Sequence, residues 1–213
     1  MTNSSSPRGG REGVLITGAE ALMRSLEHEG VETLFGYPGG AIMPTFDALY
    51  DHKETLNHIL VRHEQAAVHA AQGYARVSGK VGCCIVTSGP GAMNTITGVA
   101  DAMIDSTPIV VICGQVGAAM LGTDAFQEVD IVGMTRSITK YGVTVRKRED
   151  LGKAIKMAFH IASTGKPGPV LIDLPKDIQT SMGPADYPKS IELRGYKINE
   201  GVHLRQLRKA SKL

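Results

Sequence analysis

Hydrophobic positions along this chain alternate between two textures. Residues 81–87, 108–113 and 169–174 are short, nearly unbroken apolar runs, separated by stretches where apolar residues recur every three or four places. An unbroken run of that length predicts a strand covered on both faces, and the spaced pattern predicts an amphipathic helix. Helices are expected over 41–50, over 64–77 (alanine-rich, closed by Gly79), over 92–104 and over 149–163. A further one follows Thr17, with Ala21, Leu22 and Leu26 at helical spacing and Gly30 past its end. Glu20, three residues after Thr17, predicts a capping box there. Residues 33–35, 58–61 and 137–145 read as extended. Strands alternating with helices predict an α/β fold, a parallel central sheet with helices on both faces and right-handed crossovers. Residues 1–12, rich in Ser, Gly and Arg, read as a disordered lead; one domain spans 13–180; and 181–213 is a linker with the truncated start of a further domain. Arg205, Arg208, Lys209 and Lys212 fall in the opening turns of that further domain's first helix.

Composition narrows the function classes. A net charge of +2 over 213 residues is too near neutral to predict nucleic acid or an anionic membrane as a partner. No run approaches the ~20 apolar residues that span a bilayer, and the first residues lack the apolar core of a secretory signal. Cys83, Cys84 and Cys113 lie inside or at the end of apolar runs, so buried reduced thiols are expected rather than a disulfide framework or metal knuckle. A cytoplasmic location follows as the default.

Ligands of parallel α/β sheets bind beyond the carboxyl ends of the strands. Five segments are expected there: Gly36-Tyr37-Pro38-Gly39-Gly40, Glu64, Thr87-Ser88-Gly89-Pro90-Gly91, Cys113-Gly114-Gln115 and Asp173-Leu174-Pro175-Lys176-Asp177. Each alone reads equally well as a plain turn; together they predict a lined pocket. Ser88-Gly89-Pro90-Gly91 lacks the Gly-Lys-Ser/Thr end of a phosphate loop and the G-x-G-x-x-G spacing, so it is no nucleotide signature. Glu64 carries two readings. It is either a first-turn carboxylate favoured by the helix dipole, or a poorly solvated acid whose pKa is raised for proton exchange. His63 and His69 have no Cys or carboxylate at metal-ligand spacing.

Five motifs then carry a resemblance. Phe35 to Ala41, Val61 to Ala67, Val86 to Asn94, the Asp124-Ala125-Phe126-Gln127-Glu128 segment and Pro167 to Asp177 are, in order and spacing, similar to the catalytic large subunit of acetolactate synthase. The match runs from Gly13 to about Gln179 and corresponds to the N-terminal, pyrimidine-binding domain of this thiamine-diphosphate family. The resemblance implies an enzyme that decarboxylates pyruvate and joins the two-carbon unit to a second 2-keto acid, in branched-chain amino acid biosynthesis. It implies that Glu64 is catalytic and hydrogen-bonds the aminopyrimidine ring of thiamine diphosphate, setting its tautomer. Tyr37, Gly40, Pro90 and Asn94 match cofactor-binding positions, and Phe126, Gln127 and Lys176 match the lining of the substrate channel. Lys166 stands where many members have an arginine that touches FAD; its charge is kept but the planar fork is not. The implied partners are pyruvate and other 2-keto acids, further copies of the chain in at least a dimer, and a regulatory small subunit.

Two departures matter. Members with a proline after the Gln-Val pair differ at Gly117, and no Gly-Asp-Gly, the family's magnesium and diphosphate motif, occurs in the 213 residues. Magnesium and FAD are therefore expected only in the complete enzyme, residues 181–213 lead toward its FAD-binding domain, and the isolated chain is expected to be inactive. Two alternatives stay open: a non-catalytic module that pairs with full-length subunits, and the pyrimidine domain of another thiamine-diphosphate enzyme such as pyruvate oxidase or sulfoacetaldehyde acetyltransferase. The Asp124-Ala125-Phe126-Gln127-Glu128 segment favours acetolactate synthase over the last.

Overall fold

The computed structural model describes residues 15–198 and 201–213. The lead expected over 1–12 lies outside the described residues. In chain order the elements are β1 (Leu15–Thr17), α1 (Gly18–His28), β2 (Thr33–Gly36), α2 (Met43–Asp51), β3 (Asn57–Leu60), α3 (Glu64–Ser78), β4 (Gly82–Val86), α4 (Pro90–Met93) and α5 (Ile96–Ile104). Then follow β5 (Ile109–Gln115), α6 (Ile131–Thr135), β6 (Tyr141–Thr144), α7 (Leu151–Ser163), β7 (Pro169–Pro175), α8 (Lys176–Thr180), β8 (Met182–Pro184) and α9 (Leu204–Ala210).

Six strands form one sheet in the order β3-β2-β4-β5-β7-β6, every neighbouring pair parallel. The apolar runs are β4, β5 and β7, three of its four inner strands, buried along their whole length. Their residues alternate between two cores, as a period of two requires. Cys83, Ile85, Val110, Ile112, Val170 and Ile172 pack with Leu22, Leu26, Ile155 and Phe159 of α1 and α7. Cys84, Val86, Val111, Cys113 and Leu171 pack with Ala67, Val68, Ala71 and Val99 of α3 and α5. Helices thus cover both faces, as the pattern predicts. All three cysteines are free and buried, and burial pushes the Cys83 thiol up to about 12.

Small residues set the helix–sheet spacing. A Cβ on Gly82 would stand 2.1 Å from the Ala71 carbonyl oxygen, so α3 lies almost directly on β4. Gly79 ends α3 in the left-handed region at φ +72°, and Gly30 does the same after α1.

Several local expectations need correction. Thr17 caps α1 by accepting from the Glu20 N–H at 3.1 Å, but the reciprocal half of the capping box is missing. The Glu20 carboxylate turns instead to Arg24 at 2.6 Å and His52 at 3.1 Å. The helix expected over 92–104 is two helices, because the Thr95 hydroxyl takes the Ala92 carbonyl at 2.6 Å and competes with the helical ladder. Of 137–145 only β6 is strand, since 137–140 finish the turn after α6, where the Thr139 hydroxyl holds the Thr135 carbonyl. α7 begins at Leu151, after a single 3₁₀ turn.

Sequence reading also passes over β1 and β8. They pair antiparallel, Leu15 with Pro184 and Thr17 with Met182, just past the expected boundary at residue 180. Arg148, 7% exposed, binds this ribbon, donating from one guanidinium nitrogen to the carbonyls of Ile16, Thr17 and Pro184 at 3.2–3.3 Å.

Candidate functional site

Parallel strands put the ends of β2, β3, β4, β5 and β7 on one edge of the sheet, and all five glycine- or glutamate-marked segments gather there. Glu64 opens α3, whose N-cap is His63, and is 8% exposed. Its Oε2 accepts from Asn94 Nδ2 at 2.9 Å. That contact exists because the chain breaks between α4 and α5, which leaves the Asn94 side chain free to turn toward α3. Oε1 lies 3.1 Å from where a Cβ on Gly91 would stand, so Gly91 keeps open the space in front of the carboxylate.

Thr87 is the wedge between the two glycine turns. Cβ atoms on Gly39 or Gly91 would each lie 2.6 Å from its side chain, and its buried Oγ1 has no hydrogen-bond partner among the described residues. Ser88 is buried; Pro90, Tyr37 and Gly40 are exposed around the opening. Gly89, at φ +56°, is needed for a second reason. A Cβ there would stand 2.6 Å from the Gln127 carbonyl oxygen, so the loop bearing Phe126 and Gln127 rests directly on the Ser-Gly-Pro-Gly turn.

That loop, between β5 and α6, is organised by its own Glu128. The carboxylate accepts from the N–H groups of Gly122, Thr123 and Ala125, and these bonds, Gly122 first, hold it below the usual carboxylate range. Asp124 and Gln127 take positive φ values of +56° and +60°, and Phe126 stands 86% exposed. Lys176 opens α8, whose place is set by its neighbours. Asp177 accepts from the Ala118 N–H at 3.0 Å, and buried Gln179 donates to the Ala41 carbonyl at 2.7 Å.

The structure therefore brings Glu64, Asn94, Pro90, Tyr37, Gly40, Gln127, Phe126 and Lys176 to one sheet edge. Lys166 is not among them: it precedes β7 and sits exposed at the opposite edge. A concavity of about 550 Å³ also lies at that opposite edge, beside Tyr74, Lys80 and His160. Its charges are already paired, Lys156 with Glu29 at 2.9 Å and Lys80 with Glu32 at 2.6 Å, so it offers no free recognition group of the kind Glu64 presents. Sequence reading names Thr87 and Asp177 only as members of loop segments and misses Gln179; that they support the site comes from the structure. Only Thr87 carries a signal, a β-branched polar residue between a strand end and a glycine turn.

Residues 16–134, more than half of the chain, match the family described as thiamine pyrophosphate enzyme, N-terminal TPP binding domain. The chain belongs to this family. The TPP-binding domain is 54% identical over 198 residues to an acetolactate synthase of Mycobacterium bovis, covering 93% of this chain and 32% of that protein. It is 51% identical over 199 residues to the acetolactate synthase large subunit of Haemophilus influenzae, covering 92% and 35%. With a probable acetolactate synthase large subunit of Methanocaldococcus jannaschii it shares 51% over 203 residues, covering 93% and 34%. The chain spans about a third of the length of these relatives.

Proposed function

We propose that this chain is the pyrimidine-binding domain of an acetolactate synthase large subunit, within an enzyme that decarboxylates pyruvate and transfers the two-carbon unit to a second 2-keto acid. The observation that carries the reading is Glu64. It is a buried carboxylate with one oxygen fixed by Asn94 and the other facing the space that Gly91 leaves open.

The residues fit the pyrimidine end of thiamine diphosphate. A flat ring with an amino group needs a carboxylate acceptor, a slot without Cβ atoms and hydroxyls nearby, and Glu64, Gly91 and the unpartnered Thr87 Oγ1 supply these. When bound, the cofactor supplies a nucleophilic carbon and an electron sink. Glu64 would hold the pyrimidine end and share a proton with it, and Asn94, donating to Oε2, keeps the carboxylate oriented for that. Tyr37, Gly40 and Pro90, exposed around the opening, would border the ring. Phe126, exposed at the loop tip, would wall the approach, Gln127 would offer a polar contact beside it, and the Lys176 ammonium would attract the carboxylate of the incoming 2-keto acid.

Magnesium and FAD belong to the reading only through the complete enzyme. Among the described residues no group of three or more His, Cys, Asp or Glu side chains is placed to hold a metal ion, and Lys166 alone is assigned toward FAD, so no step runs through either. The remaining parts of the reading are an assembly of at least two copies, a regulatory small subunit and a cytoplasmic location. The domain expected over 13–180 is extended by β8 to Pro184, which pairs with β1, and the residues beyond lead into an FAD-binding domain, with α9 as that domain's opening helix.

Glu64→Gln, made in a complete enzyme of this sequence type, tests the assignment. The shape is nearly unchanged, so the fold persists, but turnover falls ~10²-fold or more, the range for loss of a positioned acid–base group. Deuterium exchange at the cofactor's reactive carbon slows with it. Unaltered exchange, with only the small loss of stability expected of a first-turn carboxylate, removes Glu64 from catalysis.

A further inference from the structure

The loop that carries Phe126 and Gln127 is fastened at both ends by one side chain. Gln115, the last residue of β5 and 2% exposed, donates from Nε2 to the Val129 carbonyl at 2.9 Å, and its Oε1 accepts from the Val116 N–H at 2.9 Å. A flipped amide makes neither bond, so whatever orients the Gln115 amide also closes the loop. Asp173 on β7 supplies that orientation. Its Oδ2 accepts from the same Nε2 at 3.4 Å and from Thr144 Oγ1 at 2.8 Å, gathering the ends of β5, β6 and β7.

Asp173 is costly where it stands. It is 3% exposed and its Oδ1 has no hydrogen-bond partner among the described residues. Burial pushes its carboxyl up to about 6, against the hydrogen bonds from Thr144 and Gln115. Asp130, which caps α6, adds to the rise, and Arg146 beyond β6 opposes it. Cys113, its register partner on β5, is held as a neutral thiol by burial. Ionising such a group weakens the fold. The local return is a stronger acceptor, because hydrogen bonds to a carboxylate exceed those to a neutral acid.

We infer that Asp173 is a positioning residue: its carboxylate sets the Gln115 amide and thereby holds closed the loop that presents Phe126 and Gln127. The inference rests on the reading of that loop as part of the site. It also makes the loop sensitive to acidity, gripped while Asp173 is ionised and slackened as it takes up a proton.

Amide hydrogen exchange of the 213-residue chain between pH 5 and 8, corrected for the intrinsic rate, tests this. The N–H groups of Val116, Thr123 and Ala125 lose roughly fivefold in protection toward pH 5, the difference between a charged and a neutral acceptor. The β4 amides Cys83 to Val86 hold or gain protection over the same interval, because neutral Asp173 stabilises the fold as a whole. A merely structural carboxyl would move both sets together. Asp173→Asn makes the loop response flat. Thr144→Val, which keeps shape and removes a bond favouring the ionised form, shifts the midpoint to higher pH. Loop and strand amides moving in parallel, or a midpoint unmoved in Thr144→Val, overturns the inference. Neither cofactor nor turnover enters the readout. If the loop titrates as expected while Phe126 and Gln127 variants leave catalysis intact, the site reading fails and the latch stands.

Discussion

Two titrating residues, Asp173 in the core and His52 at the end of α2, make stability fall as pH rises, in separate windows. Folded Asp173 keeps its proton up to about pH 6, whereas an ordinary aspartate ionises near 3.8. The native state therefore binds the extra proton between those values, and stability drops across that window by up to about 3 kcal/mol. Asp173→Asn removes this slope, which urea denaturation at a series of pH values from 4 to 7 reads directly. His52 acts higher. Burial pulls its imidazole down, but hydrogen bonds to Glu27 at 2.8 Å and Glu20 at 3.1 Å outweigh this and leave it raised. Its contribution is complete below 6.5 and is lost as pH climbs through the folded value above that. His52→Gln is expected to abolish the alkaline loss, read by carrying the same titration on above pH 7, and to keep the acid-side slope. Glu64 was legible in the sequence because a lone acid between an apolar strand and an alanine-rich helix has few ways to be solvated. Asp173 was legible only as part of a strand end. Its cost depends on Thr144 and Gln115, which lie 29 and 58 positions away.

At the scale of elements, the runs that became β4, β5 and β7 were legible because burial on both faces leaves almost no polar interruption, Asp173 and Gln115 near the strand ends apart. α6 was not: five residues are too few to show a period, and it exists through the Asp130 side chain accepting from the Gly133 N–H at 2.8 Å. The division between α4 and α5 hides inside a continuous apolar stretch, and only the Thr95 hydroxyl betrays it. For α1, Thr17→Ala deletes one cap bond and should cost about 1 kcal/mol, a fall of roughly 2–4 °C in Tm for a chain of this size. Two glycines of the α3–β4 unit should respond in opposite directions. Gly73 is exposed with no atom within 4 Å of an added Cβ, so Gly73→Ala stabilises by up to about 1 kcal/mol through helix propensity. Gly82→Ala meets the Ala71 carbonyl oxygen at 2.1 Å and must push α3 off the sheet, losing about 1–3 kcal/mol or more. Calorimetry of the two variants decides whether helix–strand contact, and not glycine content as such, sets the stability of this unit.

Across the whole molecule, the sheet order does what no single motif could, since it places segments from Tyr37 to Lys176 on one edge. The same logic separates Lys166, which precedes β7 instead of following it. The outer helical surface leaves Met93 exposed on the Glu64 side and Val77 and Ile104, at the far ends of α3 and α5, exposed at 91% and 79%, and exposed apolar surface tends to find partners. The chain should self-associate with rising concentration in sedimentation velocity; a single sharp monomer boundary at the highest concentration would count against that. β1 and β8 were invisible in the sequence, because three-residue strands acquire meaning only when Arg148 and a distant partner are in place. Their pairing has a topological consequence. Leu15 and Pro184 are ladder partners, so the two strands flanking this unit stand about 5 Å apart, before Tyr187 and Tyr196 fold back onto α1 and α7. The domain is thus a cassette on a two-ply stem: spliced into a host loop it would perturb only one point of the host. A circular permutant that bridges the stem with a few glycines and opens new ends beside Gly122 should still assemble the sheet, while unfastening the Phe126 loop alone.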